Sequence, residues 1–308
     1  EMCIRDRYDI IVVGAGPAGV SAALYAKSRG FNVLLLEKDE VGGLIKSVSH
    51  VTHYVGLSEG ESGETFREKL ENQIAEADIE LKYEEVIELD LKYELKKVKT
   101  RQNSYNAKAV IIAMGSTPKD LGLENEKEIG VEHSALGLDD EIEDRIIFVA
   151  GGSDGAAKEA LYLSKLAKKV YLIEEKDELG MIDEFKEKIE NADNIEAMTS
   201  SKIVSASGTR DKITEVCVYD SSEKEEKIFE NGEDEFLIFA YIGQAPNTKL
   251  VKDSLEMSGA YIKTDGVKTS IPGVFACGDI IDKKIRQIAT AVAEGCTCAI
   301  EAQKYLGY

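Results

Sequence analysis

Apolar positions along this chain fall into short runs of strand length, separated by stretches with the composition or spacing of helices. Ile10–Val13 is the first such run; an Ala-rich, helix-favouring stretch follows, then a second run, Val33–Leu36, ending in Glu37. Residues 62–77 repeat apolar side chains at the spacing of an amphipathic helix, and residues 79–100 alternate as strands of a small meander do. Ala109–Ala113 reads as a buried strand closed by Met114-Gly115, and Thr117-Pro118 as a crossing point between domains. The second half opens like the first, with a strand at Arg145–Ala150, a helix through Ala167, and a strand at Val170–Ile173 ending in Glu174. Short alternating runs and turns occupy 195–240, and residues 287–305 form a closing helix. Strand, helix and strand in this order predict an α/β fold of Rossmann-like, three-layer domains.

The turn after the first strand reads Gly14-Ala15-Gly16-Pro17-Ala18-Gly19. Gly14 permits the tight turn. Gly16, lacking a Cβ, lets backbone approach a pyrophosphate at the helix N-terminus, and Gly19 lets helix and strand pack closely. Glu37 stands 23 residues after Gly14, where a carboxylate accepts hydrogen bonds from ribose hydroxyls. Strand, glycines, helix and acid together predict a dinucleotide site. The same unit recurs: Gly151-Gly152-Ser153-Asp154-Gly155-Ala156 leads a second helix, and Glu174 again follows 23 residues after the first glycine. Laid over residues 14–41 without a gap, residues 151–178 match at seven of 28 positions, including Ala160, Leu161, Tyr162 and Glu174. The chain therefore holds two copies of one nucleotide-binding unit.

Composition narrows the classes. At 308 residues there is enough chain for two domains and a substantial core. No apolar run reaches the ~18 residues of a membrane span, and no signal peptide is visible. Residues 1–7, EMCIRDR, precede the first strand and are expected to be a non-native leader. Five cysteines (Cys3, Cys217, Cys277, Cys296 and Cys298) form no Cys-x-x-Cys pair, which points to a reducing, cytoplasmic setting rather than a disulfide scaffold. The net charge is −20 and uneven: residues 117–244 hold 15 Lys+Arg against 32 Asp+Glu, or −17, leaving −3 for the rest. So acidic a middle segment argues against nucleic acid and anionic membranes. It serves either solubility or the choice of partner.

At this point the chain resembles the low-molecular-weight thioredoxin reductases, two-dinucleotide-domain flavoproteins of the pyridine nucleotide-disulfide oxidoreductases. The resemblance runs from Tyr8 to Tyr308. It rests on GAGPAG at 14–19, Gly42-Gly43-Leu44, Ala113-Met114-Gly115-Ser116-Thr117-Pro118, Gly243-x-x-Pro246-Asn247-Thr248, Thr269 through Asp279, and Arg286-Gln287. It implies an FAD domain built from 8–116 and 245–308, with a nicotinamide-nucleotide domain, 117–244, inserted into it; the charge break falls there. It also implies a homodimer. Carried over by position, Gly14, Gly16, Pro17, Ala18, Glu37 and Lys38 face the ADP half of FAD. Gly42, Gly43 and Leu44 line the flavin, with His53, Val86, Ala113 and Gly115 further candidate contacts. Gly278 and Asp279 reach the ribitol chain, and Arg286, Gln287 and Ile288 lie at the flavin edge. Gly151, Gly152, Ser153 and Glu174 are the corresponding candidates for NAD.

The departures concern catalysis. The family's Cys-x-x-Cys follows a Gly-Val pair; here Gly130-Val131 precedes Glu132-His133-Ser134-Ala135-Leu136-Gly137, so Ser134 and Gly137 stand at the two cysteine positions. Dithiol exchange needs an attacking and a resolving thiol, and no other pair has the sequence spacing to replace them. Where NADPH-dependent members carry a His-Arg-Arg run, this chain reads Glu174-Glu175-Lys176-Asp177-Glu178, and paired acids repel a 2′-phosphate. NADH is then the expected donor, against a competing reading in which the middle domain no longer binds a dinucleotide, since Ser153 replaces the middle glycine.

Candidate catalytic groups are His53 beside the flavin, His133 and Ser134 at the vacated dithiol position, and Cys277, which is either redox-active or a small packed hydrophobe. His50, His53 and His133 have no acid or cysteine at ligand spacing, so no metal is expected. The leading expectation is an FAD-dependent oxidoreductase passing electrons through flavin directly to a small-molecule or protein acceptor. The alternatives are a reductase linked to ferredoxin or another carrier, and a non-catalytic flavin redox sensor.

Overall fold

The structure is a computed structural model describing residues 7–48, 51, 54–57 and 61–308. His50, His53 and Cys3 lie outside the described residues. The chain divides into two compact units, one running to Thr117 and resuming at Ala245, the other spanning Pro118–Gln244.

The first unit begins β1 (Arg7–Val13), α1 (Pro17–Ser28), β2 (Val33–Glu37), α2 (Gly63–Glu76) and β3 (Glu80–Tyr83). It continues through β4 (Val86–Asp90), β5 (Lys96–Thr100), β6 (Ser104–Ile112) and β7 (Ser116–Pro118). Its sheet has the order β3-β2-β1-β6-β5-β4. Side chains of β1 alternate between faces: Ile10 and Val12 join one core, Ile11 and Val13 the other. Both faces being covered explains why the strand reads as an unbroken apolar run. Residues 79–100 do not form a simple meander. β3 pairs parallel to β2, with Leu35 opposite Leu81, because it follows the crossover helix α2, while β4, β5 and β6 are antiparallel. Ser62 starts α2, its hydroxyl accepting the Thr65 N–H at 3.1 Å.

The second unit holds α3 (Glu126–Ile129), α4 (Asp139–Ile142), β8 (Ile146–Ala150), α5 (Asp154–Leu163), β9 (Lys169–Ile173), α6 (Asp183–Glu190) and β10 (Ile195–Met198). Four more strands complete it: β11 (Ser201–Thr209), β12 (Lys212–Asp220), β13 (Glu225–Glu230) and β14 (Phe236–Ala240). Its sheet runs β10-β9-β8-β14-β12-β11, with β13 on β12. Helix α5 stops at Leu163 rather than running to Ala167. The Asn194 amide donates to the carbonyls of Ser164 and Ala167 at 2.8 and 3.0 Å, satisfying groups that further turns of helix would have used.

The chain then returns through β15 (Gln244–Pro246), which pairs with β7, and β16 (Met257–Ser258), which pairs with β17 (Tyr261–Ile262). β18 (Val274–Ala276) lies parallel to β6, Ala276 opposite Ile112, and α7 (Ile288–Tyr305) packs on α1. Gly295 makes that packing possible: a Cβ there would stand 2.1 Å from the Ala18 carbonyl oxygen. Among the described residues, no helix is long and apolar enough to cross a membrane.

Candidate functional site

The carboxyl ends of β1, β2, β6 and β18 meet at the N-terminus of α1, the place where open α/β sheets bind ligands. Gly14 has φ +103°, and a Cβ on it would lie 2.4 Å from the Ala113 carbonyl oxygen. Gly19 is tighter still, its Cβ falling 1.8 Å from the Gly14 carbonyl oxygen. Gly16 is different. It is the extended N-cap of α1, and the nearest atom to a Cβ there is the Gly42 carbonyl oxygen at 4.0 Å. Two glycines thus close the turn, while the third leaves space above the N–H groups that a helix start cannot pair internally.

Glu37 ties the strands beneath this space. Its Oε2 accepts the Ala15 N–H at 2.8 Å, and its Oε1 accepts the N–H groups of Lys38 and Asp39 at 2.8 and 3.1 Å. The Gly42 N–H donates to the Ala15 carbonyl at 2.9 Å, which lays the positive-φ pair Gly42-Gly43 over the glycine turn. Leu44 follows in a 3-10 turn, half-buried. Gly115, at φ +58°, opens onto free space. Val86 is buried in the second core cluster. Gly278 reaches the same spot from the other end of the chain, with the Ala18 Cβ 3.0 Å from where its own would stand. Asp279 is the middle residue of the 3-10 turn Gly278–Ile280. Arg286 lies over the Tyr261 ring at 4.2 Å, and Gln287 caps α7, its N–H donating to Thr290 Oγ1 at 3.2 Å, with Ile288 the first helical residue. A cradle with an open glycine at a helix start, a carboxylate at the second strand end and a further carboxylate at 279 fits an FAD pyrophosphate, ribose and ribitol.

The second unit repeats the arrangement with a difference. Gly151 has φ +125° and cannot carry a side chain, its Cβ falling 2.4 Å from the Tyr241 carbonyl oxygen. A Cβ on Gly152 would stand 2.4 Å from Glu174 Oε2, and Glu174 Oε1 accepts the Lys176 N–H at 3.0 Å. Ser153 is the extended N-cap of α5. Asp154, which the sequence reading passed over, holds the Ile182 N–H at 2.8 Å and ties the loop before α6 to the helix start.

Two proximities in the structure were not visible in the sequence spacing. Cys277 and Cys298, 21 residues apart in sequence, hydrogen-bond through their thiols, and both are fully buried. Burial, followed by the Cys277 sulfur, pushes the Cys298 thiol well above its ordinary value. Without solvent access, the two side chains sit in the core as small packed groups. His133 does have acidic neighbours: its Nε2 is 3.7 Å from Asp120 Oδ1, and Glu126 completes a set whose ligand atoms lie within 4.8 Å of one another. His133 Nδ1 lies 3.3 Å from the Ala240 carbonyl oxygen, and Glu126 already accepts the N–H groups of Leu121, Gly122 and Leu123. Ser134 Oγ accepts the Leu136 N–H at 3.2 Å.

A family model described as pyridine nucleotide-disulphide oxidoreductase matches residues 8–295. A thioredoxin reductase of Peptoclostridium litorale is 36% identical over 307 residues, covering 97% of each chain. A 34.2 kDa protein in the rubredoxin operon of Clostridium pasteurianum is 31% identical over 306 residues, again covering 97% of each. Among solved structures, the thioredoxin reductase of Lactococcus lactis in its FR conformation superposes with a TM-score of 0.91 at 30% identity, covering 97% of this chain and 99% of that one.

Proposed function

Since this chain belongs to the pyridine nucleotide-disulphide oxidoreductase family and is an FAD-dependent oxidoreductase of thioredoxin reductase-like fold, we propose that it delivers electrons directly to an acceptor without a protein dithiol. The observation that supports this reading is that the five cysteines of the chain form no Cys-x-x-Cys, with Ser134 and Gly137 at the two positions to which the resemblance carries the family's redox cysteines. FAD, when bound, supplies the two-electron carrier. The chain's residues bind and orient it: the α1 N–H groups and Gly16 take the pyrophosphate, Glu37 the ribose, and Asp279 the ribitol chain. The Cys277–Cys298 pair is assigned no part in this transfer, since both thiols are fully buried and exchange requires access to the attacking sulfur.

NADH is the proposed donor. Glu174 lies against Gly152 where a ribose would sit, and Glu175 follows it, its charge partly offset by Lys202 at 3.8 Å. A 2′-phosphate would meet both acids. The test is anaerobic mixing of the FAD-loaded enzyme with each nucleotide. Bleaching of the visible flavin band by NADH and not by NADPH supports the reading, and rapid NADPH oxidation coupled to thioredoxin reduction overturns it.

A second reading has its own support. The Clostridium pasteurianum relative is named for a rubredoxin operon, and a carrier-linked enzyme would exchange electrons with a small redox protein. In that case a low-potential carrier reduces the flavin where NADH does not. Inertness to both would leave a flavin redox sensor. The protein is proposed to act as a homodimer.

A further inference from the structure

Asp279 does not stand alone at the end of β18. Lys283, four residues on, points its ammonium back so that Nζ lies 3.6 Å from Asp279 Oδ1. The same Nζ donates to both carboxylate oxygens of Glu294, at 3.1 and 2.8 Å. Glu294 in turn accepts the Gly278 N–H at 2.8 Å. The lysine side chain is only 11% exposed, Glu294 20% and Asp279 30%. One cation and two carboxylates therefore close a ring that joins α7 to the turn carrying Asp279.

This ring solves a specific problem. Gly278 adopts φ +80° just past the end of β18, and its N–H needs an acceptor. Glu294 provides one, which places a carboxylate close to Asp279. Two such anions at a partly desolvated strand end repel one another unless a cation lies between them. Lys283 is that cation. Arg286 does not replace it, being committed to the Tyr261 ring and the Ile281 carbonyl. Asp282 accepts from Ser258 and faces β16, and the first two turns of α1 carry no charged side chain.

We propose that Lys283 is a positioning residue for FAD binding, acting through Asp279: it screens Glu294 and holds the Asp279 carboxylate toward the ribitol side of the cradle. Glu294 is the anchor that fixes the lysine. This rests on the assignment of Asp279 to the FAD site. It is independent of which nucleotide or acceptor the enzyme uses.

The test is a double-mutant cycle read as FAD affinity, measured by quenching of free-flavin fluorescence on reconstitution of the apoprotein. Lys283→Met is expected to weaken FAD binding about tenfold, the size of one lost charge-assisted contact. Lys283→Arg should restore most of that loss, because it keeps the cation. In an Asp279→Asn background, Lys283→Met should cost little more, since the group it acts through is already neutral. A merely structural lysine would give equal losses in both backgrounds, or an apoprotein melting point that falls as far in Lys283→Arg as in Lys283→Met. Either result overturns the proposal, as does unchanged affinity in Lys283→Met. If instead Asp279→Asn alone leaves FAD affinity unchanged, the assignment of Asp279 has failed, and the two failures are told apart.

Discussion

The Glu174 carboxylate lies directly against Gly152, so close that a Cβ on the glycine would come within 2.4 Å of Oε2. In the reading proposed above, a dinucleotide's ribose and pyrophosphate would bind beside this acid and glycine turn. Glu174→Ala should therefore act on cofactor choice before stability. The ratio of NADH to NADPH efficiency in flavin reduction is expected to fall about tenfold, as one lost charge-assisted hydrogen bond and one lost repulsion would give. Stopped-flow traces with each nucleotide supply the ratio, and an unchanged ratio would remove Glu174 from the reading.

The contact between α1 and α7 has no room for a methyl group at Gly295. A Cβ there meets Ala18 and Ala22 backbone at 2.1–3.0 Å, and backbone cannot rotate aside. Gly295→Ala should destabilise the protein by about 1–3 kcal/mol or more, and weaken FAD retention because Ala18 also abuts Gly278. Gly155→Ala is the contrast: its Cβ would find nothing nearer than Ser153 Oγ at 3.8 Å. Helix propensity then makes it neutral or stabilising by roughly 0.5–1 kcal/mol. Thermal melts of the two variants should move in different directions.

Thiol reactivity should follow burial. Cys277 and Cys298 are fully buried, Cys217 is 5% exposed with its thiol pushed up chiefly by burial, and Cys296 is half-buried on the outer part of α7. A disulfide reagent applied to the native protein, followed by peptide mass mapping, should modify Cys296 and leave Cys217, Cys277 and Cys298 until denaturant is added. Rapid modification of Cys277 or Cys298 would reopen a redox role for the pair.

Alkaline stability should carry the signature of Tyr8. Burial first, then its hydrogen bond to Glu80 at 3.1 Å, pushes this phenol up to about 12 from an ordinary value of 10.0. Folded and unfolded chains both hold the proton below pH 10, so the contribution is complete there and is lost as pH rises from 10 to 12. Urea midpoints across that window should fall more steeply for the wild type than for Tyr8→Phe. Parallel curves would show that the phenol is not held as described.

Much of this architecture can be read from local pattern. The apolar runs at Ile10–Val13 and Val33–Leu36 become β1 and β2, Ser62 caps α2, and the Gly14 and Gly151 turns both adopt the positive φ that only glycine tolerates well. What the pattern could not carry is tertiary proximity. Alternation within Glu80–Tyr83 is the same whether the strand pairs antiparallel with its successor or parallel with β2; the preceding crossover helix decides. Cys277 meets Cys298, and His133 meets Asp120 and Glu126, only after strand ends and helices are assembled. Lys283 and Glu294 read as ordinary surface charges until the Gly278 turn brings them against Asp279. The glycine and acid signals around Gly14 and Glu37 were legible because they depend on local backbone geometry and fixed spacing, whereas Asp279 was singled out only by the family resemblance.

The central claim, electron delivery without a protein dithiol, is tested most directly by counting electrons. FAD-loaded enzyme is titrated anaerobically with dithionite while the visible flavin band is followed. A flavin acting alone takes up one two-electron equivalent per bound FAD, and the account predicts an end point there. An end point at two equivalents per FAD, with thiols appearing as the second is consumed, would show a working disulfide in the chain and contradict it.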